Sequence, residues 1–116
     1  YLKQIVTKCT VPNTLFAKGS WYALEKLKAT GANGIGIDWA VRPEMARKVL
    51  GNDVTIQGNF DPSRLYAPIP KIEQWTKEMI DRFGKDRYIV NLGHGILPNI
   101  PVDNARAFIN AVKNYS

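Results

Sequence analysis

The feature that most constrains this chain is a repeated alternation of short apolar runs with amphipathic stretches. Asn13–Ala17, Gly34–Trp39, Asp53–Gly58 and Tyr88–Leu92 have the length and the β-branched or aromatic content of buried strands. The stretches between and after them repeat at helical spacing. Trp21, Leu24 and Leu27 form one stripe, and Ile72, Trp75, Met79 and Phe83 a second. Val102, Ala105, Ile109 and Val112 form another at the C-terminal end. Ser20 is placed to cap the first of these helices, which stops at Gly31. Pro43 starts a helix that stops at Gly51, and Gly84 ends the longest one. Strands separated by helices pair in parallel through right-handed crossovers. Two architectures satisfy that rule: a small open sheet with helices on both faces, or part of a (β/α)8 barrel. A complete barrel takes roughly 250 residues. The 116 residues of this chain would therefore hold about four strand–helix units, half a barrel, as a single partial domain over residues 1–116.

The first helix carries Leu2, Ile5, Val6 and Cys9 on one stripe and begins without a cap, so the chain is expected to start mid-helix. Pro12 ends that helix, and Cys9 is expected to be a buried small apolar residue rather than a nucleophile. One cysteine excludes an internal disulfide framework and fits a reducing, cytoplasmic setting. No apolar run approaches the ~18–20 residues of a membrane span, and Tyr1-Leu2-Lys3 does not open a signal peptide, so no membrane partner is expected. The net charge of +6 suits an anionic partner, but the basic residues are scattered, with no aromatic-interleaved stripe that would mark nucleic-acid binding.

In parallel α/β folds, functional groups gather where strands end. Here those ends read Lys18-Gly19-Ser20, Asp38-Trp39, Gln57-Gly58-Asn59-Phe60-Asp61 and Asn91-Leu92-Gly93-His94-Gly95. His94 is the only histidine, and it alone has an unperturbed pKa near neutrality. Gly93 and Gly95 are expected to leave it open to a ligand. Asp38 is expected to bond loop amides or cap the next helix, and Gln57 and Asn59 to satisfy buried backbone. Asp61-Pro62 reads as a helix cap with proline in the first turn, while Lys18 has no assignable role. Gly34-Ile35-Gly36 lacks the third glycine of a dinucleotide turn, and no phosphate loop is present. One Cys and one His fall short of a protein-only zinc site, and Ser20 and Ser63 have no nucleophile–base triad around them, so no catalytic residue and no metal ligand is assigned.

Taken together, Phe16-Ala17-Lys18-Gly19, Gly36-Ile37-Asp38-Trp39, Thr55-Ile56-Gln57-Gly58-Asn59-Phe60-Asp61-Pro62 and Arg87 to Ile96 resemble the C-terminal half of the uroporphyrinogen decarboxylase family, from Tyr1 to about Tyr115. That resemblance implies a (β/α)8 barrel working as a homodimer in heme and tetrapyrrole biosynthesis. It also implies removal of carbon dioxide from the four acetate side chains of uroporphyrinogen to give coproporphyrinogen, without metal or cofactor. Of the family's site it places only the substrate-binding histidine here, as His94. The arginine-rich, aspartate and tyrosine segments belong to earlier strands, so this chain alone is expected to be inactive. Asp38 sits on a different strand from the family aspartate and does not replace it. Zinc-dependent methyltransferases of the same superfamily, acting on thiols such as coenzyme M, carry H-x-C where this chain reads Phe16-Ala17-Lys18. They carry a further cysteine near Gly93-His94-Gly95, so methyl transfer is the weaker alternative. A catalytically silent, truncated interaction module is the other.

Overall fold

The apolar runs form a single parallel sheet in the computed structural model, which describes residues 1–116. Strands β1 (Thr14–Phe16), β2 (Gly34–Gly36), β3 (Thr55–Phe60) and β4 (Tyr88–Leu92) lie side by side in chain order. Register puts Leu15, Ile35, Ile56 and Tyr88 in one row, and Phe16, Gly36, Gln57 and Ile89 in the next. Successive strand residues point to opposite faces, so these rows belong to opposite sides of the sheet.

The first row faces helices. Ile35 and Ile56 are fully buried there, in a core shared with Leu24, Leu50, Ile72 and Phe83. Burying one such side chain stabilises the fold by about 1.5–3 kcal/mol. Helix α1 (Leu2–Val6) precedes the sheet, and α2 (Leu24–Lys28), α3 (Pro43–Leu50), α4 (Ile69–Phe83) and α5 (Val102–Lys113) follow the strands in turn. Helix α2 packs on α3, α3 on α4 and α4 on α5, a single curved layer. The second row has no such cover: Phe16 is 50% exposed and Ile89 45%. Helices on one side only rule out the doubly wound alternative. Four consecutive βα units of a (β/α)8 barrel remain.

Boundaries mostly follow the pattern, with proline opening α3 and glycines 51 and 84 ending α3 and α4. Three expectations need correction. Cys9 is exposed and lies beyond the end of α1, its thiol donating to the Ile5 carbonyl at 3.4 Å. Of its stripe only Val6 reaches the core, and Leu2 and Ile5 have no neighbour to bury them. Ser20 does not cap: its hydroxyl donates to the Ala17 carbonyl at 2.5 Å, and Trp21 begins a 3-10 turn, more than half exposed. On α5, Val102 and Ile109 face solvent while Ala107 and Phe108 are buried. That helix is turned because Phe108 packs on Phe60 with ring centroids 4.9 Å apart. The residue pair Ala105 and Val112 suited either orientation.

At the amino ends of the strands a guanidinium replaces missing backbone partners. Arg47 donates to the carbonyls of Phe83, Gly51, Val54, Asp86 and Arg87 at 2.9–3.4 Å, tying α3 to the turns that enter β3 and β4. Nearby, Arg82 joins α4 to α3, donating to both Glu44 oxygens at 2.6 and 2.8 Å. That bidentate pair holds the Glu44 carboxyl down at about 2, below its ordinary value of 4.5.

Two measurements follow from this architecture. An uncovered apolar sheet face with two unpaired edges favours association. The isolated chain is therefore expected to self-associate in sedimentation velocity, and a cooperative monomer at every concentration would contradict this. The depressed Glu44 carboxyl contributes stability above pH about 4.5 that is lost as pH falls towards 2. Both partners are largely exposed, so the contribution is below about 1 kcal/mol. Glu44→Gln is expected to lower stability by that amount in urea titrations at pH 7, with the difference shrinking below pH about 4.5 and vanishing only below pH about 2.

Candidate functional site

The carboxyl ends of the four strands converge because buried polar groups lock their loops together. Asp38, 7% exposed beyond β2, accepts the Gly19 N–H at 2.7 Å through one oxygen and the Ala40 N–H at 3.0 Å through the other. Asn59, at the end of β3, donates to the carbonyls of Asp38 and Val41 at 2.8 and 2.6 Å. These side chains serve backbone, as read from the sequence. Asp61 caps the 3-10 helix Pro62–Tyr66, accepting the Ser63 N–H at 2.9 Å. Lys18 is exposed on the β1 loop.

The glycines around His94 divide into two roles. A side chain on Gly95 would meet nothing within 4 Å, so this position is open. Gly93 is different. Its N–H donates to the Phe60 carbonyl at 2.7 Å, and a Cβ there would lie 2.9 Å from the Trp39 Cα and closer still to its nitrogen. Gly93 thus exists so that the loops after β4 and β2 can touch, a correction to the expectation that it clears space for a ligand. Gly58 has the same function one strand earlier: its φ is +137°, and a Cβ would stand 2.6 Å from the Ile37 carbonyl oxygen.

With the other groups engaged, His94 remains. It is exposed on the turn after β4 and lines a hollow of about 600 Å³, shared with Phe16, Gln57, Asn91, Leu92 and Phe108 among others. This hollow runs from the uncovered sheet face around the free edge of β4 towards α5. Its lining is mostly apolar and includes no Asp, Glu, Lys or Arg.

Gln57 is the residue that the sequence misassigned. The sequence groups it with Asn59 as a satisfier of buried backbone, yet its amide bonds no backbone group and lies half-buried in the hollow. Residues 57 and 59 share one face in a regular strand, so no local signal in the sequence separates the two. Gln57 alternates with fully buried Ile56, whereas the positive φ of Gly58 breaks the alternation and turns Asn59 into the interior.

A smaller cleft of about 320 Å³ lies on the helical side between α3 and α4. Two of its three guanidiniums are engaged: Arg82 is held by Glu44, and Arg64 stacks over Trp75 at 5.0 Å. No three His, Cys, Asp or Glu side chains converge to hold a metal ion. No helix is long and apolar enough to cross a membrane.

A one-sided parallel βα sheet with its open polar groups at the strand carboxyl ends defines a segment of a barrel of the (β/α)8 class. Comparison with known proteins narrows this further. The sequence profile described as uroporphyrinogen decarboxylase (URO-D) matches residues 1–115, and the chain belongs to that family. It is 54% identical to the uroporphyrinogen decarboxylase of Flavobacterium johnsoniae, over 99% of this chain and 34% of that protein. It is 46% identical to that of Homo sapiens, over 91% of this chain and 29% of that protein. The chain thus spans about a third of the length of the curated relatives it matches. A solved methyltransferase from Methanosarcina mazei superposes with a TM-score of 0.83 over 97% of this chain and 34% of its own, at 21% identity. That likeness is one of fold, while sequence kinship lies with the decarboxylases.

The two glycines flanking His94 should respond differently to a methyl group. Gly93→Ala is expected to destabilise the chain by about 2–3 kcal/mol, since backbone must move to admit the Cβ. Gly95→Ala should stay within about 0.5 kcal/mol of the parent. Urea unfolding of the two variants checks this, and equal effects would remove the distinction.

Proposed function

We propose that this chain is the C-terminal portion of a uroporphyrinogen decarboxylase and supplies the His94 wall of its substrate cavity. The observation that carries the reading is the family match over residues 1–115 together with an exposed histidine at a strand carboxyl end, beside an apolar hollow. The decarboxylation of the curated relatives is a cofactor-independent reaction in this reading. Protonation of a pyrrole carbon makes a cationic ring. The bond between the acetate methylene and its carboxylate carbon then breaks, and its electron pair enters the ring as carbon dioxide leaves. A proton completes the methyl group, and loss of the first proton restores the pyrrole. The protein's task is to hold the carboxylates and stabilise the ring cation.

In this scheme His94 binds and orients the substrate. A carboxylate beside the imidazole favours its protonated form, giving a charge-assisted hydrogen bond. Apart from His94 no side chain that can carry charge lines the hollow, so in this reading the remaining charge that a tetrapyrrole polyanion requires is supplied by the other strands of the barrel. The chain alone is therefore proposed to be inactive, and the intact protein to be a homodimer with no nucleic-acid or membrane partner, located in the cytoplasm.

A chimera tests this reading: the present chain replaces the matching third of the Flavobacterium johnsoniae relative. It is expected to convert uroporphyrinogen to coproporphyrinogen, while the 116-residue chain alone gives only the uncatalysed background. An inactive, folded chimera overturns the reading. In the chimera, His94→Asn should leave the melting temperature nearly unchanged and lower turnover, or alter the order in which acetates react. An easily unfolded variant with normal activity per folded molecule would make His94 structural instead.

A further inference from the structure

We infer that the Gln57 side-chain amide is a second substrate contact in the His94 hollow, donating to a carboxylate of the bound tetrapyrrole. The inference rests on the reading above and deepens it.

Gln57 lies at the centre of the sheet's uncovered face. Its row is Phe16, Gly36, Gln57 and Ile89, so it is the only polar side chain among its in-register neighbours. Gly36 contributes no side chain, and the Phe16 ring lies over it: a Cβ on Gly36 would be 3.1 Å from both Cβ and Cδ2 of Phe16. The ring therefore borders Gln57 on one side and Ile89 borders it on the other. Neither can pair an amide. Two other amides that pack against the core side of the chain are paired. Asn59 donates to two carbonyls, and Asn104 donates to those of Leu65 and Ala67 at 2.7 and 3.1 Å. A polar group on an apolar floor is costly once a ligand excludes water, unless that ligand pairs with it.

The sense of the pairing follows from the rest of the hollow. The Asn91 side-chain oxygen Oδ1 already accepts the Leu92 N–H at 2.8 Å, which leaves its NH2 group to face outward. His94 donates when protonated. With no acidic group present, the hollow is a set of donors in an apolar wall, complementary to carboxylates on a flat, greasy ring. Gln57 completes that set from below, with the amide NH2 as donor.

Gln57→Leu and Gln57→Glu in the active chimera test the inference. Leucine keeps the size and removes the donor. Because the lost contact binds ground and transition states alike, KM is expected to rise roughly tenfold with kcat little changed. Glutamate replaces the donor with a charge of the substrate's own sign, so its KM should exceed that of Gln57→Leu. Melting temperatures within about two degrees of the parent, which fit surface-type substitutions, confirm that folding is intact. A parental KM in Gln57→Leu overturns the inference while the decarboxylase reading stands. Tighter binding in Gln57→Glu also overturns it, since that result means the residue accepts a pyrrole N–H. Should the parent chimera lack decarboxylase activity, the decarboxylase reading fails separately. Titration of uroporphyrin fluorescence then decides the fate of Gln57: roughly tenfold weaker binding by Gln57→Leu upholds the contact, and equal or absent binding by parent and variant overturns it.

Discussion

The carboxyl end of this sheet depends on one close approach, the backbone of Gly93 against the backbone of Trp39. Strand β4 has only one neighbour within the chain, and its last residues could splay away from β3. The Gly93 N–H bonded to Phe60, and the absence of a side chain between Gly93 and Trp39, hold the turn in place instead. Trp39 is itself held by the knot around it. Asp38 fastens the β1 and β2 loops through two N–H groups, and Asn59 fastens β3 to the same loop through two carbonyls. Buried polar groups that are fully paired in this way rigidify their surroundings, and the cost of leaving any one unpaired makes the arrangement specific.

The opposite end of the sheet is built differently. There one arginine collects five carbonyls from the end of α4 and the turns that enter β3 and β4. A guanidinium can do this because it presents five N–H donors in a fixed plane. The polar contacts at the amino ends of the strands thus only join elements, while the carboxyl ends combine their polar knot with a histidine and two amides directed at open space. That division is the usual one in barrels of this class.

The uncovered face has a chemical consequence as well as a geometric one. Phe16, Ile89 and Gln57 would be a poor surface for a free-standing protein, because apolar groups meet water and the Gln57 amide has no partner within the chain. They make sense as one wall of an enclosed cavity. The chain spans about a third of the length of the curated relatives it matches.

Alternation of apolar runs with helical stripes sufficed to determine parallel pairing in chain order, because period and connection length are local properties. Strand β4 falls where the pattern placed it, and the Asp61-Pro62 cap forms as its residues dictate. The position of His94 just past the end of β4 was legible because the apolar run stops at Leu92, and it is exposed there. The rotation of α5 was not legible, since the sequence offers two overlapping stripes and only the contact between Phe108 and Phe60 chooses between them. Nor was the exposure of Cys9, which depends on whether another surface covers α1. The roles of Gln57, Asn59 and Gly93 belong to tertiary structure for the same reason. A side chain's direction at a broken alternation, and the distance between two loops far apart in sequence, are set by how strands stack rather than by what any one strand contains.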